Sequence, residues 1–493
     1  MKRKTGEWRG ASGNSVSAPE QFSAGLTSSE RDTVGACIEV VDNLEEFRSA
    51  GLVVEAIVEN IEAKRGLFQA LEEIVADTAI LTTNTSSISV TAIAAELRNP
   101  GRVAGLHFFN PAPITKLVEV VSGLASSPAV LDLLCETATA WGKDPVRARS
   151  TPGFIVNRVA RPFYAEGLRL LEEGAADAAT LDAIMREAGG FRMGPFELMD
   201  LIGHDVNFAV THSVFDAYYG DPRFRPSLTQ QELVAAGWLG RKSGRGFYDY
   251  AIPDAKPVPN TVGPGPRPKE VVIEGDLGPA EPLATLIGEA GIKVRRTDRS
   301  SLIKLDAATL ALSDGRKATS LVASGAPSDL VLMDLALDYR AATRIALSRA
   351  DQATNSALEA AAGLFQFLGK TVSAVDDVPG MVVLRTLAML ANEGAEAVAQ
   401  QVASAADVDR AMVLGVNYPR GPLEWADACG LALILGTLNA LQSGYGTIDI
   451  APPNCYADVS QAVVGFAPNR AHRSPTNALA PIHTSASQRP NGR

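Results

Sequence analysis

Leu52-Val-Val-Glu-Ala-Ile57, a stretch of helical text, and then Ile80-Leu-Thr-Thr83 decide the fold of this chain. The first is a near-continuous apolar run, which predicts a strand buried in a parallel sheet. Between the two runs, residues 59–75 carry Ile61, Leu67, Phe68, Leu71 and Ile74 at helical spacing on one face. The loop Asn84-Thr-Ser-Ser87 follows, then another helix. Strand–helix–strand is the grammar of a doubly wound α/β sheet, and such sheets bind ligands at the carboxyl ends of their strands. Glu59 and Ser86 stand at such ends.

Further on, Leu106-His-Phe-Phe-Asn-Pro111 and Lys116-Leu-Val-Glu-Val-Val121 read as two short strands. Asn110, Pro111 and Pro113 make the turn between them. A turn of that length brings His107 opposite Glu119. A carboxylate that holds one ring nitrogen stabilises the imidazolium, while the other nitrogen takes a substrate proton. Taken alone, a His and a Glu twelve positions apart read as a structural pair.

The neighbouring segments change that reading. Asp42 to Asn60, the loop Asn84 to Ser87, Leu106 to Glu119 and Thr151-Pro-Gly-Phe-Ile-Val-Asn-Arg158 together resemble the 3-hydroxyacyl-CoA dehydrogenases. Gly194-Pro-Phe-Glu-Leu-Met-Asp200 and Gly240-Arg-Lys-Ser-Gly-Arg-Gly-Phe-Tyr248 extend the match, in order and spacing, across most of residues 24–446. The chain looks most like the long bacterial form with two C-terminal helical domains, associated with phenylacetate breakdown. The resemblance implies an oxidoreductase that converts (3S)-3-hydroxyacyl-CoA and NAD to 3-oxoacyl-CoA and NADH, of 3-hydroxyadipyl-CoA or 3-hydroxybutyryl-CoA type. It makes His107 the base for the 3-hydroxyl proton and Glu119 its orienting partner. Ser86 and Asn157 would hydrogen-bond the reacting oxygen and the nicotinamide region. Glu59, Lys64, Ser86, Asn110 and Lys242 would contact NAD. Each has a plainer reading: Ser86 and Asn157 as helix caps, Lys64 and Lys242 as solvated charges.

One family feature has no counterpart in the text. The family opens with a strand, a Gly-x-Gly-x-x-Gly loop and a helix that hold the cofactor pyrophosphate. Residues 1–50 contain Gly6, Gly10, Gly13, Gly25 and Gly35 but no Gly-x-Gly. Family-like text begins near Gly25. The expectation is a truncated NAD-binding domain that binds NAD weakly and exposes an apolar sheet edge.

Composition fits a multidomain cytoplasmic enzyme of 493 residues. A net charge of −11 argues against nucleic-acid or membrane-surface partners. Cys37, Cys135, Cys429 and Cys455 are scattered, with no metal-binding spacing, and a reduced compartment is expected. No apolar run is long enough to span a bilayer.

An internal repeat organises the remainder. Gly142-Lys143, Pro152-Gly153, Glu166-Gly167, Asp182, Gly194-Pro195 and Asp200 each recur 227 positions later, as Gly369-Lys370, Pro379-Gly380, Glu393-Gly394, Asp409, Gly421-Pro422 and Asp427. Asn157 aligns with Leu384, so the second copy is expected to be structural, covering substrate and building subunit contacts. His204 and His212 read as packing residues on a helix of the first copy. The expected fold is α/β plus all-α, a truncated Rossmann-type doubly wound domain followed by two helical copies. Its parts are a disordered polar tail (1–22), the truncated domain (23–149), helical copy one (150–252) and a Pro-rich linker (253–269). A degenerate α/β segment (270–375), helical copy two (376–446) and a disordered polar tail (447–493) complete it. After Tyr445-Gly446 the repeat breaks; a frame beginning at the third base of the Thr447 codon admits Asp-Arg-Tyr-Arg-Pro-Ser, like Asp221-Pro-Arg-Phe-Arg-Pro-Ser227, so a frameshift is expected. The expected assembly is a homo-oligomer, dimer or trimer, with an acyl-CoA substrate. An inactive acyl-CoA-binding or structural homologue is the alternative, and another hydroxyacid dehydrogenase of similar architecture is a third.

Overall fold

The computed structural model describes residues 35–252, 257–298 and 300–446, with residues 8–9, 15–16, 27, 29 and 33 ahead of them. The expected frameshift after Gly446 lies outside the described residues, as do most of the N-terminal tail and the start of the Pro-rich linker. Within the tail, Trp8–Arg9 pairs with Ser15–Val16 as a short antiparallel ribbon.

The first sheet follows the strand–helix–strand text. Its strands are β1 (Leu52–Glu55), β2 (Ile80–Thr83), β3 (Val103–Phe108), β4 (Leu117–Ser122) and β5 (Asp144–Arg149), adjacent in that order. All neighbours are parallel except β3 and β4. Helix α1 (Ile61–Ile74) starts after Asn60, whose side chain accepts from the Ala63 amide, so Glu59 precedes the helix rather than opening it. Short helix α2 (Val90–Ala94) and α3 (Pro128–Ala140) complete the unit. Among the described residues β1 is an edge strand, with Val54, Ile57 and Val58 exposed beside it.

Helices α4 (Val156–Val159), α5 (Arg161–Glu172), α6 (Ala178–Glu187), α7 (Pro195–Ile202), α8 (His204–Ala217) and α9 (Leu228–Ala235) form the first helical copy. Two buried carboxylates fasten it. Asp182 accepts from the amides of Phe196 (3.0 Å) and Glu197 (2.9 Å) in the first turn of α7, and from the Tyr248 hydroxyl (2.6 Å). Asp200 accepts from the amides of Phe247 and Tyr248 (both 3.0 Å), and from the Tyr250 hydroxyl (2.9 Å). His204 is buried and pairs with Asp200 at 2.7 Å, as a packing residue does. His212 does not pack: its side chain is 53% exposed and pairs with Asp216, because that turn of α8 faces solvent.

The second sheet is built from β6 (Glu270–Glu274), β7 (Lys293–Thr297), β8 (Leu302–Lys304), β9 (Thr309–Leu312), β10 (Leu330–Met333), β11 (Arg344–Arg349) and β12 (Thr371–Ala374), in spatial order β12-β11-β10-β9-β8-β6-β7. Helices α10 (Pro282–Glu289), α11 (Ala318–Ala323) and α12 (Asn355–Phe367) accompany it. Strands β9 to β12 run parallel, antiparallel, parallel, the directions of β2 to β5. The copies diverge before that: β9 pairs antiparallel with β8, whereas β2 pairs parallel with β1. Helices α13 (Val383–Ala399), α14 (Ala405–Val416), α15 (Pro422–Cys429) and α16 (Leu431–Tyr445) form the second helical copy. No helix among the described residues is long and apolar enough to cross a membrane.

The two helical copies meet by exchanging equivalent ion pairs. Arg158 binds Glu393 at 2.5 Å and Arg385 binds Glu166 at 2.6 Å, all four buried. Arg158 also donates to Gln400 (2.8 Å), and Arg385 to Glu173 (2.9 Å). The guanidinium groups lie over Tyr218 and Tyr445, 5.2 and 5.0 Å from the ring centres. Every partner differs from its counterpart by the same 227 positions. Residue i of one copy touches residue j of the other, and j touches i, which is the rule of an isologous dimer. Here that interface lies within one chain.

Two outcomes are expected. Arg385→Met leaves the buried Glu166 with less compensation and should destabilise the fold by about 3 kcal/mol, read in denaturant unfolding. Burial pushes Asp182 from 3.8 to about 7 against the hydrogen bonds it accepts from Tyr248 and the Phe196 amide. The folded chain therefore keeps a proton that the unfolded chain has released. Its contribution is full below about pH 4 and is lost as pH rises through about 7. Asp182→Asn should flatten the fall of unfolding free energy across that window.

Candidate active site

Strands β3 and β4 place His107 directly opposite Glu119. Paired residues leave the same face of a sheet, so the two side chains meet. His107 Nδ1 lies 2.7 Å from Glu119 Oε2, with Glu119 fully buried and His107 nearly so. The other carboxylate oxygen accepts from the amides of Ile155 (3.1 Å) and Val156 (3.0 Å). These are donors left over at the start of α4. Glu119 thus couples the sheet to the helical copy, and Asn157 is the next residue along. Because the Nδ1–H donates to Glu119, Nε2 is the basic nitrogen.

A tight turn delivers those two amides. Gly153 has φ +74° and Phe154 φ +46°. A Cβ on Gly153 would meet the Arg158 nitrogen at 3.1 Å and the Asn157 carbonyl carbon at 3.3 Å, so the chain tolerates only glycine there. Phe154 holds an unfavourable conformation, which costs of order 1 kcal/mol. Its buried ring packs against His107, with ring centres 5.7 Å apart.

The loop after β2 forms the other wall. Phe108 donates its amide to Asn84 Oδ1 (2.8 Å), tying the loop to the end of β3. Glu59 Oε1 accepts from Thr85 Oγ1 (2.5 Å), from the amides of Ser86 and Ser87 (both 3.2 Å) and from Ser87 Oγ (2.9 Å). Burial alone would raise the Glu59 pKa; these bonds and Lys64 outweigh it and hold the carboxyl below its usual value. Lys64 is not a solvated surface charge. Its ammonium is buried, 2.7 Å from Glu55 and 3.3 Å from Glu59, because the first turn of α1 folds over the end of β1. Glu55 also accepts from Thr83 Oγ1 (2.6 Å). The sequence reading passed over Glu55; an acidic residue inside a buried strand was its signal.

His107, Glu119 and Asn157 are therefore brought together, with Ser86 on the adjoining loop. Asn110 is exposed just beyond β3. Lys242 stands on the loop after α9, ion-paired with Asp205. At the nicotinamide end the donor set fits NAD: part-buried polar groups at strand ends, beside a basic imidazole nitrogen. A nicotinamide held by these residues would supply the hydride acceptor.

The second copy lacks the pair. With the same offset of 227, His107 aligns with Asp334 and Glu119 with Ala346. The Asp334 amide donates to the Ala346 carbonyl (3.0 Å), so strand pairing is kept. Asp334 accepts from the amides of Val382 (3.0 Å), Val383 (2.7 Å) and Leu384 (3.1 Å). One aspartate thus takes over the capping of the helix N-terminus, and nothing remains to move a proton. Met381, the counterpart of Phe154, keeps a positive φ of +54°. Carrying the offset into the strands would have revealed this exchange from the text alone.

Known proteins agree with this geometry. Residues 9–151 match the family model "3-hydroxyacyl-CoA dehydrogenase, NAD binding domain", a match that begins earlier than Gly25. Residues 153–250 and 380–463 match "3-hydroxyacyl-CoA dehydrogenase, C-terminal domain", and 310–379 the "3-hydroxybutyryl-CoA dehydrogenase reduced Rossmann-fold domain". The chain is 46% identical over 406 residues to the 3-hydroxyadipyl-CoA dehydrogenase of Escherichia coli K12, covering 82% of this chain and 80% of that one. It is 40% identical over 218 residues to the mitochondrial hydroxyacyl-coenzyme A dehydrogenase of Sus scrofa, covering 44% and 69%. A solved structure described as 3-hydroxybutyryl-CoA dehydrogenase from E. coli K12 superposes with a TM-score of 0.79 at 42% identity, covering 89% of this chain and 87% of that one. With its site geometry and its relatives in agreement, the chain belongs to the 3-hydroxyacyl-CoA dehydrogenase family of NAD-dependent oxidoreductases.

Proposed function

We propose that this chain oxidises (3S)-3-hydroxyacyl-CoA thioesters with a single site built around His107, and that its preferred acyl chain ends in a carboxylate. The observation that carries the catalytic part is the buried Glu119, shared between the imidazole and the amides of Ile155 and Val156. His107 Nε2 takes the proton of the 3-hydroxyl as hydride leaves carbon 3. The imidazolium that forms faces a buried carboxylate, which stabilises it most in that low-dielectric setting. Asn157 and Ser86 hydrogen-bond the reacting oxygen and the nicotinamide region. Glu59, held by Lys64, keeps the Ser86 loop in place, so both act by positioning. Asn110 and Lys242 are assigned to the nicotinamide side of the cleft. The substrate assignment is supported by the E. coli relative named for 3-hydroxyadipyl-CoA. On this reading the enzyme acts in fatty-acid or phenylacetate breakdown.

Cys37, Cys135 and Cys429 are unpaired, which supports a reducing, cytoplasmic setting. The isologous face of the helical copies is satisfied within the chain, so a homo-oligomer would assemble through another surface.

Mutant kinetics test the site. His107→Gln should lower kcat by roughly 10²–10⁴-fold with little change in acyl-CoA binding. Glu119→Gln should lower kcat as well, because the imidazolium loses its facing carboxylate. Wild-type turnover in His107→Gln would end the assignment. The one-site reading has its own test in the paired substitutions Asn157→Leu and Leu384→Asn. The first should remove most activity and the second should leave rates unchanged; equal losses would contradict it.

A further inference from the structure

Arg161 opens α5, one helical turn after Asn157, and the sequence reading passed over it. It is 6% exposed, yet among the described residues no carboxylate lies within ion-pairing distance. Its Nη1 donates to Thr211 Oγ1 (3.0 Å), and its guanidinium lies over the Tyr164 ring, 4.8 Å from the centre. Its Nε is buried without a partner, and so is the hydroxyl of Tyr418, contributed by the second copy. Burial pulls the Arg161 pKa down, and among the described residues the neighbours that oppose this are the hydroxyls of Tyr164 and Tyr418. An unpaired buried cation is costly and calls for an anion.

A cavity of about 560 Å³ opens beside it, lined by Arg161, Tyr164, Thr211, Arg169, Arg223 and Arg225 among others. Stability does not explain the cation. At the offset of 227, the copy without a His–Glu pair has Ala388 for Arg161 and Leu438 for Thr211, both buried. The polar pair occurs only in the copy that holds the catalytic machinery.

We infer that Arg161, with Thr211 and Tyr418, receives the terminal carboxylate of a dicarboxylic acyl chain whose carbon 3 lies at His107. This rests on the acyl-CoA reading above and adds the residue that selects the chain end. Asn157 lies on α4 and Arg161 opens α5 four positions later, with Ala160 joining the two helices. Three carbon–carbon bonds separate carbon 3 from the terminal carboxyl carbon of a six-carbon diacid, the chain length that the inference names. Arg161 offers a planar fork that a carboxylate matches, and a methyl terminus would leave the guanidinium unpaired.

Calorimetry on the whole chain with adipyl-CoA and hexanoyl-CoA, which differ only at the chain end, tests this without turnover. Wild type should bind adipyl-CoA roughly 10–100-fold tighter, the range of a charge-assisted hydrogen bond. Arg161→Met should erase that preference while hexanoyl-CoA affinity stays within about threefold. Tyr418→Phe, which removes only a hydroxyl, should narrow the preference. Equal wild-type affinities would overturn the inference while leaving the acyl-CoA reading standing. Equal losses for both thioesters in Arg161→Met, with wild-type unfolding behaviour, would move Arg161 to the CoA phosphates and overturn it too. Binding of neither thioester by wild type would bring down both readings.

Discussion

The buried carboxylate of Glu119 is the interaction on which the molecule depends. One oxygen fixes the tautomer and direction of His107, and the other closes the N-terminus of α4. A sheet and a helical unit are thereby joined at the point where chemistry is needed. A buried anion is expensive unless several donors meet it. Here an imidazole N–H and two amides do so, and removing any one donor exposes the cost of the rest. The left-handed turn at Gly153-Phe154 is the backbone condition for this, since it aims both amides at one oxygen.

The second copy shows what happens when that condition is kept without catalysis. The left-handed turn persists at Gly380-Met381, and so does the buried anion, now Asp334. A shorter acidic side chain just after β10 reaches the amides directly, so the imidazole has no place and the position facing it on β11 shrinks to Ala346. Burial pushes Asp334 up to about 6 even with four amides donating to it, a sign of how strongly that pocket excludes water. The copy retains the framework and loses the proton carrier. What it contributes instead is a surface: reciprocal arginine–glutamate pairs on α13 and a tyrosine, Tyr418, that reaches the first copy.

The polar groups around the cleft divide into two kinds. Glu55, Glu59 and Lys64 satisfy one another and their loop, so their charges are spent on shape. Among the described residues, Arg161 Nε and the Tyr418 hydroxyl are buried without a partner, and we assign them to a ligand. This contrast separates positioning from recognition better than residue type does, since both groups contain buried cations.

Much of this was legible in the text because the relevant signals are local. Strand and helix periodicity, and a hairpin short enough to force register, settle the α/β class and the His107–Glu119 pairing. The gapless offset of 227 settles the repeat, since identical folding of two segments needs only similar local sequence. Tertiary structure decided what depends on distant partners. Lys64 reads as a surface lysine until Glu55 and Glu59 close around it, and His212 reads as packed until α8 turns that face to solvent. Arg158 and Glu393 are far apart in sequence, and no local pattern pairs them. The isolation of Arg161 is the extreme case, because the absence of a counter-charge among the described residues becomes visible only when every neighbouring element is in place. Local pattern specifies which element a residue occupies; burial and charge compensation are sums over the whole fold.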